Sequence, residues 1–454
     1  MKRIYSTIVL ATLTLSTFAG GLLTNTNQHA AFVRNPARYA SLETDAIYFN
    51  PAGTAFFKEG WALSANWQMV WQDRDVISLG TNKKYEGKVY VPCMPTIMAS
   101  YKTGNWTFSG FFGMPGGGGK AEFSNGLPSF NQMAAGLFET GFMGTLAQMN
   151  ANTQDPYVSK GLKYTDGGKE VTTGSQFEST QYLFALQLGA AYKISDNWSV
   201  YAGVRANYVN NNYNGKIYGK LAAKVNVTDP AGNVYGSSDI TDEKSFAVDL
   251  DQSGVAFAPI VGVDYKVGDF NFAAKYEFQT VTTVKNKLNE GAEIAATALP
   301  QFADGNKLRS DAPAMVSLAG SWQATSWFKA MLGATYSFEK DAKVESLLSG
   351  KNNNLNLDHN TYELLAGVEF NVTKNLLLSA GVQYSDFGVT DKYISDISFV
   401  NDSFMTGIGA KYSFNENWDL NVGFCYAAYA DYKTQTTKYV RNTYDASIGV
   451  DFRF

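Results

Sequence analysis

Side chains that could perform bond chemistry are scarce in this 454-residue chain, which holds two histidines and two cysteines. Acyl-transfer sites generally need a histidine base beside a nucleophile. His29 lies near the N terminus, while Asp358 and His359 are sequence neighbours, so in a strand their side chains point to opposite faces. So few histidines and cysteines form no cluster with metal-ligand spacing. We therefore expect no catalytic site, no metal and no cofactor, with a site built from carboxylates alone as the alternative.

Ligand binding is the second kind of chemistry that these residues offer. Basic side chains occur on the polar faces of alternating segments, among them Arg205 and Lys275. The carboxylate of a ligand is bound well by such a cationic partner. Both residues are therefore candidate carboxylate partners, as are Lys193, Lys329 and Lys411. The alternative is that they are ordinary polar residues of a water-facing surface.

An Asn-Pro-Ala triplet occurs twice near the N terminus, at residues 35–37 and 50–52. Proline fixes φ and asparagine can bond to neighbouring backbone, so each copy predicts at least a turn. Only the second copy, which begins at Asn50, directly precedes the first strand-like run. The two copies are therefore not equivalent in position, although both remain compatible with plain turns.

The first residues have the character of a secretion signal. Met1-Lys2-Arg3 is a positive start, residues 4–18 are mainly apolar, and Thr17-Phe18-Ala19 offers small residues at the cleavage positions. We expect a signal peptide over residues 1–19. No later stretch has 18 or more consecutive apolar residues, which excludes a helical membrane protein. The net charge of −4 provides no basic field for nucleic acid.

Strict alternation of apolar and polar residues starts at Trp61 and recurs to the C terminus. In residues 444–454, Ile448 and Phe452 lie on an apolar face and Asp445 on a polar face. A soluble sandwich would alternate in the same way. The tryptophans favour a membrane, because four of them open a strand directly after a short turn, where they would form an interfacial girdle. These tryptophans are Trp106, Trp198, Trp327 and Trp418.

The connections between these strands alternate between short and long, which is typical of a transmembrane barrel. Six short turns and seven long loops join fourteen strands, so we expect an all-β, 14-stranded antiparallel transmembrane β-barrel over residues 61–454. The even strand number places both termini on the periplasmic side. The short turns are at 103–105, 195–197, 268–269, 324–326, 373–375 and 415–417, and the long loops are near 74–85, 115–178, 210–252, 283–312, 339–360, 386–401 and 430–440.

The chain resembles the FadL type of outer-membrane transporters for long-chain fatty acids and other hydrophobic compounds, which includes the toluene-uptake proteins. The resemblance rests on Asp45–Gly53, on Val91–Pro95, on Ala190–Tyr208 and on the strand count. It implies that residues 20–60 form a hatch that plugs the barrel lumen, with Asn50-Pro51-Ala52 as the family's Asn-Pro-Ala element in that hatch. Fourteen strands enclose more space than wall side chains fill, so a plug is physically reasonable.

The resemblance also implies an opening in the wall at Gly113, Met114, Pro115 and Gly116. Proline cannot donate to a strand ladder and glycine packs nothing, so pairing should fail in this glycine-rich stretch. A gap there would let an apolar ligand leave sideways into the membrane. The alternative is a flexible start to a surface loop.

The longest loop contains apolar residues at helical spacing over Leu127–Met149. By resemblance, this amphipathic helix would form a first groove for the substrate, and the alternative is packing onto the barrel mouth. The candidate groove residues are Phe130, Leu137, Phe138, Phe142 and Leu146.

The sequence therefore predicts a non-enzymatic, monomeric transporter in the outer membrane of a Gram-negative bacterium, surrounded by outer-membrane lipid. Its function would be passive uptake of a hydrophobic small molecule, with long-chain fatty acids and aromatic hydrocarbons both open as substrates. The terminal Phe454 suits recognition by the barrel-assembly machinery. The alternatives are a general diffusion porin with an open lumen, and a surface adhesin or structural barrel.

Overall fold

The computed structural model describes residues 28–293, 300–347, 349–396 and 399–454, so the expected signal peptide, residues 1–19, lies outside the described residues. Fourteen antiparallel strands form a closed barrel in which each strand pairs with the next and the last pairs with the first. This confirms the predicted fold class. The strands are β1 (Gly60–Ser78), β2 (Lys84–Thr103), β3 (Trp106–Phe123), β4 (Lys163–Lys193), β5 (Trp198–Thr228), β6 (Val234–Val267), β7 (Phe270–Glu277), β8 (Met315–Gln323), β9 (Phe328–Ser337), β10 (Thr361–Asn371), β11 (Leu376–Asp386), β12 (Ser403–Ser413), β13 (Trp418–Tyr429) and β14 (Thr437–Arg453).

The two faces of the wall differ as the alternation requires. On β14, Ile448 and Val450 are exposed on the lipid-facing side, whereas Asp445 and Asp451 are buried on the lumen side. Closure between β1 and β14 pairs the backbone of both end strands along their whole length. This closure therefore leaves neither the first nor the last strand with a free edge that lipid would have to solvate.

Aromatic side chains encircle the short-turn end of the barrel. The four tryptophans that follow short turns are all exposed, and each stacks on or tilts against an aromatic ring of the neighbouring strand. Such rings are stable at a membrane interface, where one side is apolar and the other wet. The pairs are Trp106–Tyr192, Trp198–Tyr265, Trp327–Phe370 and Trp418–Phe452.

Two of the predicted long loops are wrong, because the strands continue beyond the membrane. β1 and β2 are joined by residues 79–83 alone, and β5 and β6 by residues 229–233. β4, β5 and β6 contain 31, 31 and 34 residues, whereas about 9–11 residues cross a bilayer. The extended part of β5 stays a strand because its alternate apolar residues, including Leu221 and Val225, are covered by a helix.

That helix, α3 (Pro128–Ala151), lies in the predicted position within the longest connection. Two short helices, α1 (Ala30–Arg34) and α2 (Ala46–Phe49), precede the barrel and are followed by a 3₁₀ turn at Pro51–Phe56. No helix in the described ranges is long and apolar enough to cross a membrane. Short strands at Thr283–Leu288, Lys307–Arg309 and Tyr432–Lys433 and 3₁₀ turns at Val158–Lys160, Pro300–Phe302, Glu339–Asp341 and Asn353–Asn356 lie in connections.

The described N-terminal segment, residues 28–57, lies across the lumen. α1 contacts β12, β13 and β14 on one side, while the 3₁₀ turn contacts β3 to β6 on the other. Phe32, Ile47 and Phe49 are almost fully buried and pack on wall residues that include Phe111 and Met405. We call this segment the hatch. Its position confirms the plugged lumen of the predicted fold.

Candidate functional site

Ion pairs between buried and partly buried side chains fix the hatch to the wall. Arg38 donates through Nε to Asp45 Oδ2 at 2.6 Å and through Nη1 to Glu369 Oε1 of β10 at 2.8 Å. Glu43 binds Arg38 Nη2 at 2.8 Å and Lys411 Nζ of β12 at 2.5 Å. Each charge therefore has an opposite partner, as burial in a low-dielectric interior requires.

These contacts also control the protonation of the hatch carboxylates. Burial raises the pKa of Asp45, but Arg38 outweighs burial and holds that pKa below its ordinary value. Burial likewise opposes ionisation of Glu43, and Lys411 and Arg38 together hold the pKa of Glu43 well below its ordinary value. Both carboxylates are consequently ionised at neutral pH, and the ion pairs depend on that charge.

The second Asn-Pro-Ala copy lies at the contact between the hatch and the wall. Asn50 Nδ2 donates to the Asp264 carboxylate of β6 and to the Ser41 carbonyl, the latter at 3.1 Å. Pro51 begins the 3₁₀ turn, where its missing N–H costs no helical hydrogen bond. The Ala52 carbonyl accepts a hydrogen bond from Ser199 Oγ of β5 at 2.8 Å. The triplet thus joins the hatch to two strands, while its role in transport stays a prediction.

The first copy also contacts the wall, which its position in the sequence did not indicate. Asn35 caps α1 through its backbone, and its Oδ1 accepts a hydrogen bond from Ala37 N at 3.1 Å. Its Nδ2 donates to Met331 Sδ of β9 at 3.2 Å. The side chain fits against Gly367 and Gly381, where a Cβ atom would collide with it.

Pairing between β2 and β3 is interrupted at the predicted opening. Within the described part of these strands, their register is continuous from Trp106 to Phe112 on β3 and resumes at Ala121, so β2 is without β3 partners between Val89 and Ile97. β3 stays paired with β4, with two register shifts over residues 113–119. The loss of pairing that Pro115 and its neighbouring glycines predicted is therefore confined to the β2 side.

The interruption leaves backbone groups without ladder partners, and two side chains bind some of them. Trp67 Nε1 donates to the Pro92 carbonyl at 2.7 Å on the lipid-facing side. Gln28 Nε2 of the hatch donates to the Met114 carbonyl at 2.9 Å on the lumen side. Gly119 has a φ of 69°, a conformation that glycine adopts without strain. The hatch thus contacts β3 directly through Gln28, a residue that no sequence pattern indicates.

A cavity in the lumen borders this interruption. Its volume is about 70 Å³, whereas one water molecule takes up about 30 Å³ in the liquid. A larger ligand therefore fits only if the hatch or a lining side chain shifts. Three glycines line it at the wall, and the remaining lining residues are eight apolar or aromatic and four polar ones. The glycines are Gly116, Gly117 and Gly119, the apolar and aromatic residues are Val70, Val91, Met94, Tyr182, Met405, Cys425, Ala427 and Tyr429, and the polar residues are Gln72, Arg441, Thr443 and Asp445. We call it the lumen cavity.

A larger depression of about 630 Å³ lies elsewhere, on the outside of the wall. Phe272, Leu318 and Leu332 line it and are exposed on the lipid-facing surface. It is separated from the lumen by the strands themselves. The depression is therefore a surface for lipid contact and offers no route through the barrel.

A known protein family matches nearly the whole length of this chain. The model of a family described as "Outer membrane protein transport protein (OMPP1/FadL/TodX)" matches residues 10–453. The chain belongs to this family. Its place is accordingly the outer membrane, and its family consists of transport proteins. Among curated proteins, none matches the chain.

Solved structures of OMPP1/FadL/TodX proteins share the fold at low sequence identity. A Pseudomonas aeruginosa FadL homologue has 13% identity and a TM-score of 0.60, covering 96% of this chain and 100% of its own. The P. putida toluene transporter TodX has 14% identity and a TM-score of 0.56, with 90% and 94% covered. The Ralstonia pickettii toluene transporter TbuX has 14% identity and a TM-score of 0.52, also with 90% and 94% covered. This likeness establishes the barrel fold alone.

Arg205 and Lys275, the candidate carboxylate partners, lie together in this OMPP1/FadL/TodX barrel, but they already share a carboxylate. Arg205 Nη1 contacts Glu277 Oε2 at 2.5 Å, and Lys275 Nζ contacts Glu277 Oε1 at 2.7 Å. Lys275 also donates to the carbonyl of hatch residue Tyr48 at 3.0 Å, and Arg205 lies over the Tyr48 ring at 4.8 Å. In this arrangement the two cations hold the hatch, and a role in binding substrate stays a prediction.

The predicted groove face of α3 is mostly covered. Phe138, Phe142 and Leu146 are buried against the extended strands, and Phe130 packs edge-on against Phe177 at 5.0 Å. Leu137 is half-buried. This placement matches packing onto the barrel mouth. A capture groove on this face needs α3 to separate from β4 and β5, so the groove stays a prediction for this family member.

Three side chains typical of hydrolases meet beneath α1, although they are far apart in sequence. His29 Nε2 lies 3.0 Å from Ser64 Oγ and 3.0 Å from Asp451 Oδ1. In a catalytic triad the serine and the carboxylate bind different ring nitrogens. Here both contact Nε2, while Nδ1 accepts a hydrogen bond from Ala31 N at 3.0 Å. The histidine therefore caps α1 and joins it to the wall, and its contacts differ from those of a catalytic triad.

Proposed function

We propose that the protein takes up hydrophobic small molecules passively across the outer membrane. The observation that carries this is the coincidence of a lumen cavity with a mainly apolar lining and the interruption between β2 and β3. A ligand in that cavity lies beside the one stretch of described wall where two long neighbouring strands lose their ladder. Transfer of an alkyl chain into such surroundings is favourable by about 0.8 kcal/mol per methylene.

The proposed route has three stages. Substrate is captured near α3 at the long-loop end, passes into the lumen cavity as the hatch shifts, and leaves sideways between β2 and β3 into the membrane. Long-chain fatty acids and aromatic hydrocarbons are the proposed substrate classes, in keeping with relatives described as toluene transporters and FadL homologues. The hatch argues against a general diffusion porin, because it occupies the lumen through which polar solutes would pass.

We further propose an oligomeric state, an orientation in the membrane and a route of insertion for the transporter. The chain acts as a monomer, with both termini in the periplasm and lipid around the aromatic girdle. The barrel-assembly machinery inserts it, with Phe454 at the end of β14 as part of the signal. Residues 1–19 are removed as a signal peptide, and residues 20–60 act as the hatch.

A reversible crosslink across the interruption tests lateral exit. A Cβ atom built on Gly119 lies 3.6 Å from Val91 Cβ, within the range of about 3.5–4.5 Å that a disulfide needs. Val91→Cys with Gly119→Cys, in a Cys93→Ser/Cys425→Ala background, should block uptake of labelled fatty acid or toluene when oxidised. Reduction with dithiothreitol should restore it.

The matched control is a second disulfide between the same strands. Ser100 and Ser109 are register partners in the paired part of β2 and β3. Ser100→Cys with Ser109→Cys should leave uptake unchanged in both redox states. Equal uptake by the oxidised and reduced forms of the Val91/Gly119 variant would contradict exit through this opening.

A further inference from the structure

A second pocket lies at the long-loop end of the barrel, apart from the lumen cavity. Its volume is about 300 Å³, at the lower end of the range of about 300–1,000 Å³ that is typical of small-molecule sites. It is lined by the first turn of α3, by the connection between β11 and β12, and by the connection between β13 and β14 with the start of β14. It shares no lining residue with the lumen cavity. We call it the mouth pocket.

Polar side chains form most of the mouth pocket. Pro128 and Ile394 are apolar, and every other lining residue carries a hydroxyl, amide, carboxylate or ammonium group. A hydrocarbon in this pocket would take away the water that these groups bind without replacing its hydrogen bonds, which is unfavourable. The pocket is therefore unsuited to a purely apolar molecule. Its hydroxyl-bearing residues are Ser129, Ser395, Thr434, Thr436, Thr437 and Tyr439.

The mouth pocket reaches below the protein surface. Ser129, Ser395, Asp396 and Thr437 are polar, and each is more than nine-tenths buried. Ser129 Oγ is buried and has no hydrogen-bond partner among the described residues. Because a buried hydroxyl is normally bonded to a protein group, an ordered water or a ligand, Ser129 leaves hydrogen-bonding capacity in the lining of this pocket.

The charged groups of the mouth pocket do not favour an ion. Asp396 Oδ2 accepts a hydrogen bond from Ser129 N at 2.7 Å, so a carboxylate already occupies the positive end of α3. Asp391 Oδ1 accepts a hydrogen bond from Tyr432 Oη at 2.9 Å. With Lys392 as the one cation of the lining, the two carboxylates disfavour an anion. Nor does any part of the chain that the structure describes hold a group of three or more His, Cys, Asp or Glu residues suited to a metal ion.

A neutral polyol such as a sugar is complementary to this lining. Each sugar hydroxyl both donates and accepts a hydrogen bond, and the lining offers carboxylates that accept as well as hydroxyls and the amides of Gln132 and Gln435 that do both. Pro128, Ile394 and the ring of Tyr439 provide apolar surface against which the C–H groups of a sugar ring can pack. The mixture of many small polar groups with a little apolar surface thus matches a carbohydrate better than an ion or a hydrocarbon.

We propose that the mouth pocket is a carbohydrate site that binds a sugar, either free or as a unit of a glycan at the cell surface. The proposed orientation of the barrel places this pocket outside the cell. The site is separate from the route proposed for hydrophobic molecules, and it does not depend on that function. A sugar bound there joins the first turn of α3 to two other connections, so it holds this end of α3 in place.

Titration calorimetry of the purified full-length protein tests the proposal, in a detergent with a polyoxyethylene head group that itself contains no sugar. The sugar probes are glucose, galactose, N-acetylglucosamine and the oligosaccharide released from outer-membrane lipopolysaccharide. Cyclohexanol, sodium phosphate and calcium chloride are the comparison probes for a ring with a single hydroxyl, an anion and a cation. We expect at least one sugar probe to bind saturably and to slow hydrogen exchange in the first turn of α3, and the comparison probes to do neither.

The two kinds of sugar probe also distinguish the source of the ligand. Tighter binding of the oligosaccharide than of every monosaccharide would support the site with a surface glycan as its ligand. Tighter binding of a monosaccharide would support the site with a free sugar as its ligand.

Ser129→Ala/Gln132→Ala removes two polar side chains of α3 from the lining while keeping a residue that favours helix. We expect it to weaken sugar binding by about fivefold or more, the loss typical of two neutral hydrogen bonds. The matched control is Gln154→Ala/Ser159→Ala, because both side chains are exposed in the same long connection and outside the pocket. It should bind sugar as wild type does. If the double variant does not fold, Gln132→Ala is measured alone, since Gln132 is exposed, and should show a smaller loss.

Three results would overturn the carbohydrate site. The first is the absence of saturable binding by every sugar probe, and the second is tighter binding of phosphate, calcium or cyclohexanol than of any sugar. The third is equal sugar affinity of wild type and the variants at Ser129 and Gln132, which would place the sugar elsewhere on the molecule. None of these measurements involves uptake of hydrophobic molecules, so the proposed function stands or falls separately.

Discussion

At the scale of single residues, the two Asn-Pro-Ala copies make contacts of different strength. Asn50 donates to the buried carboxylate of Asp264, whereas Asn35 donates to a methionine sulfur, which is a weak acceptor. Asn50→Ala should therefore destabilise docking of the hatch by about 1–3 kcal/mol, because it leaves Asp264 short of a donor. Asn35→Ala, the matched control, should cost less.

Hydrogen exchange of hatch amides measures both variants. Faster exchange in Asn50→Ala than in Asn35→Ala is expected. Equal and small effects of the two substitutions would show that both triplets are simple turns.

What sequence patterns predict about single residues depends on where their partners lie. Alternation correctly placed Arg205 and Lys275 on the inner face, since a strand's period assigns the face of every residue. It could also have paired Lys275 with Glu277, two residues along the same face. Arg74 of β1 and Arg441 of β14 are register partners, and alternation alone leaves the register between these two strands undetermined.

At the scale of elements, the hatch is held by carboxylates whose pKa values lie below their ordinary range. A lowered pKa in the folded state contributes stability above the unfolded pKa, about 3.9–4.3 for these groups, and that stability is lost as pH falls through the folded value. The hatch should therefore stay docked from neutral pH down to about pH 4 and loosen below it.

Limited proteolysis or hydrogen exchange of the hatch between pH 7 and pH 3 checks this expectation. Glu43→Gln is the informative variant, because it removes one titrating contact to Lys411. It should weaken docking at neutral pH and flatten the acid response. Release of the wild-type hatch on raising the pH, in place of lowering it, would contradict the role of these ion pairs.

The helix α3 permits a second test among elements. Phe142 is buried against the extended strands, whereas its neighbour Met143 is 53% exposed. Phe142→Ala should destabilise the contact between α3 and the strands by about 3–5 kcal/mol, and Met143→Ala should change it little. Loss of hydrogen-exchange protection in α3 reports the effect. Similar protection in the two variants would mean that this face is not held by packing.

The position of α3 can be predicted from the sequence, whereas the length of the extended strands cannot. The period of three to four residues located α3 correctly, because one helix face is apolar irrespective of its neighbours. The sequence pattern predicts loops where the extended strand segments lie, because a strand needs only about 9–11 residues to cross the bilayer. Leu221 and Val225 keep that region of β5 ordered only once α3 covers them, and this contact is tertiary.

At the scale of the whole molecule, the hatch fills the space that the barrel wall encloses. The lumen of a fourteen-stranded barrel is wider than its wall side chains fill, and the hatch occupies it. Deleting residues 20–55 should therefore raise leakage of small polar solutes markedly while altering uptake of hydrophobic substrate. Liposome swelling measures the leakage, with the intact protein as reference and circular dichroism to verify the barrel. Unchanged leakage and uptake would contradict the hatch model.

The contacts of α1 impose an order in time on assembly. His29 binds Asp451 across 422 residues of chain, and Arg34 binds Glu369 across 335. The segment that is synthesised first thus finds some of its partners on strands that are synthesised much later. Such long loop closures make folding slow. We therefore expect closure of β14 on β1 and docking of the hatch in the lumen to occur together.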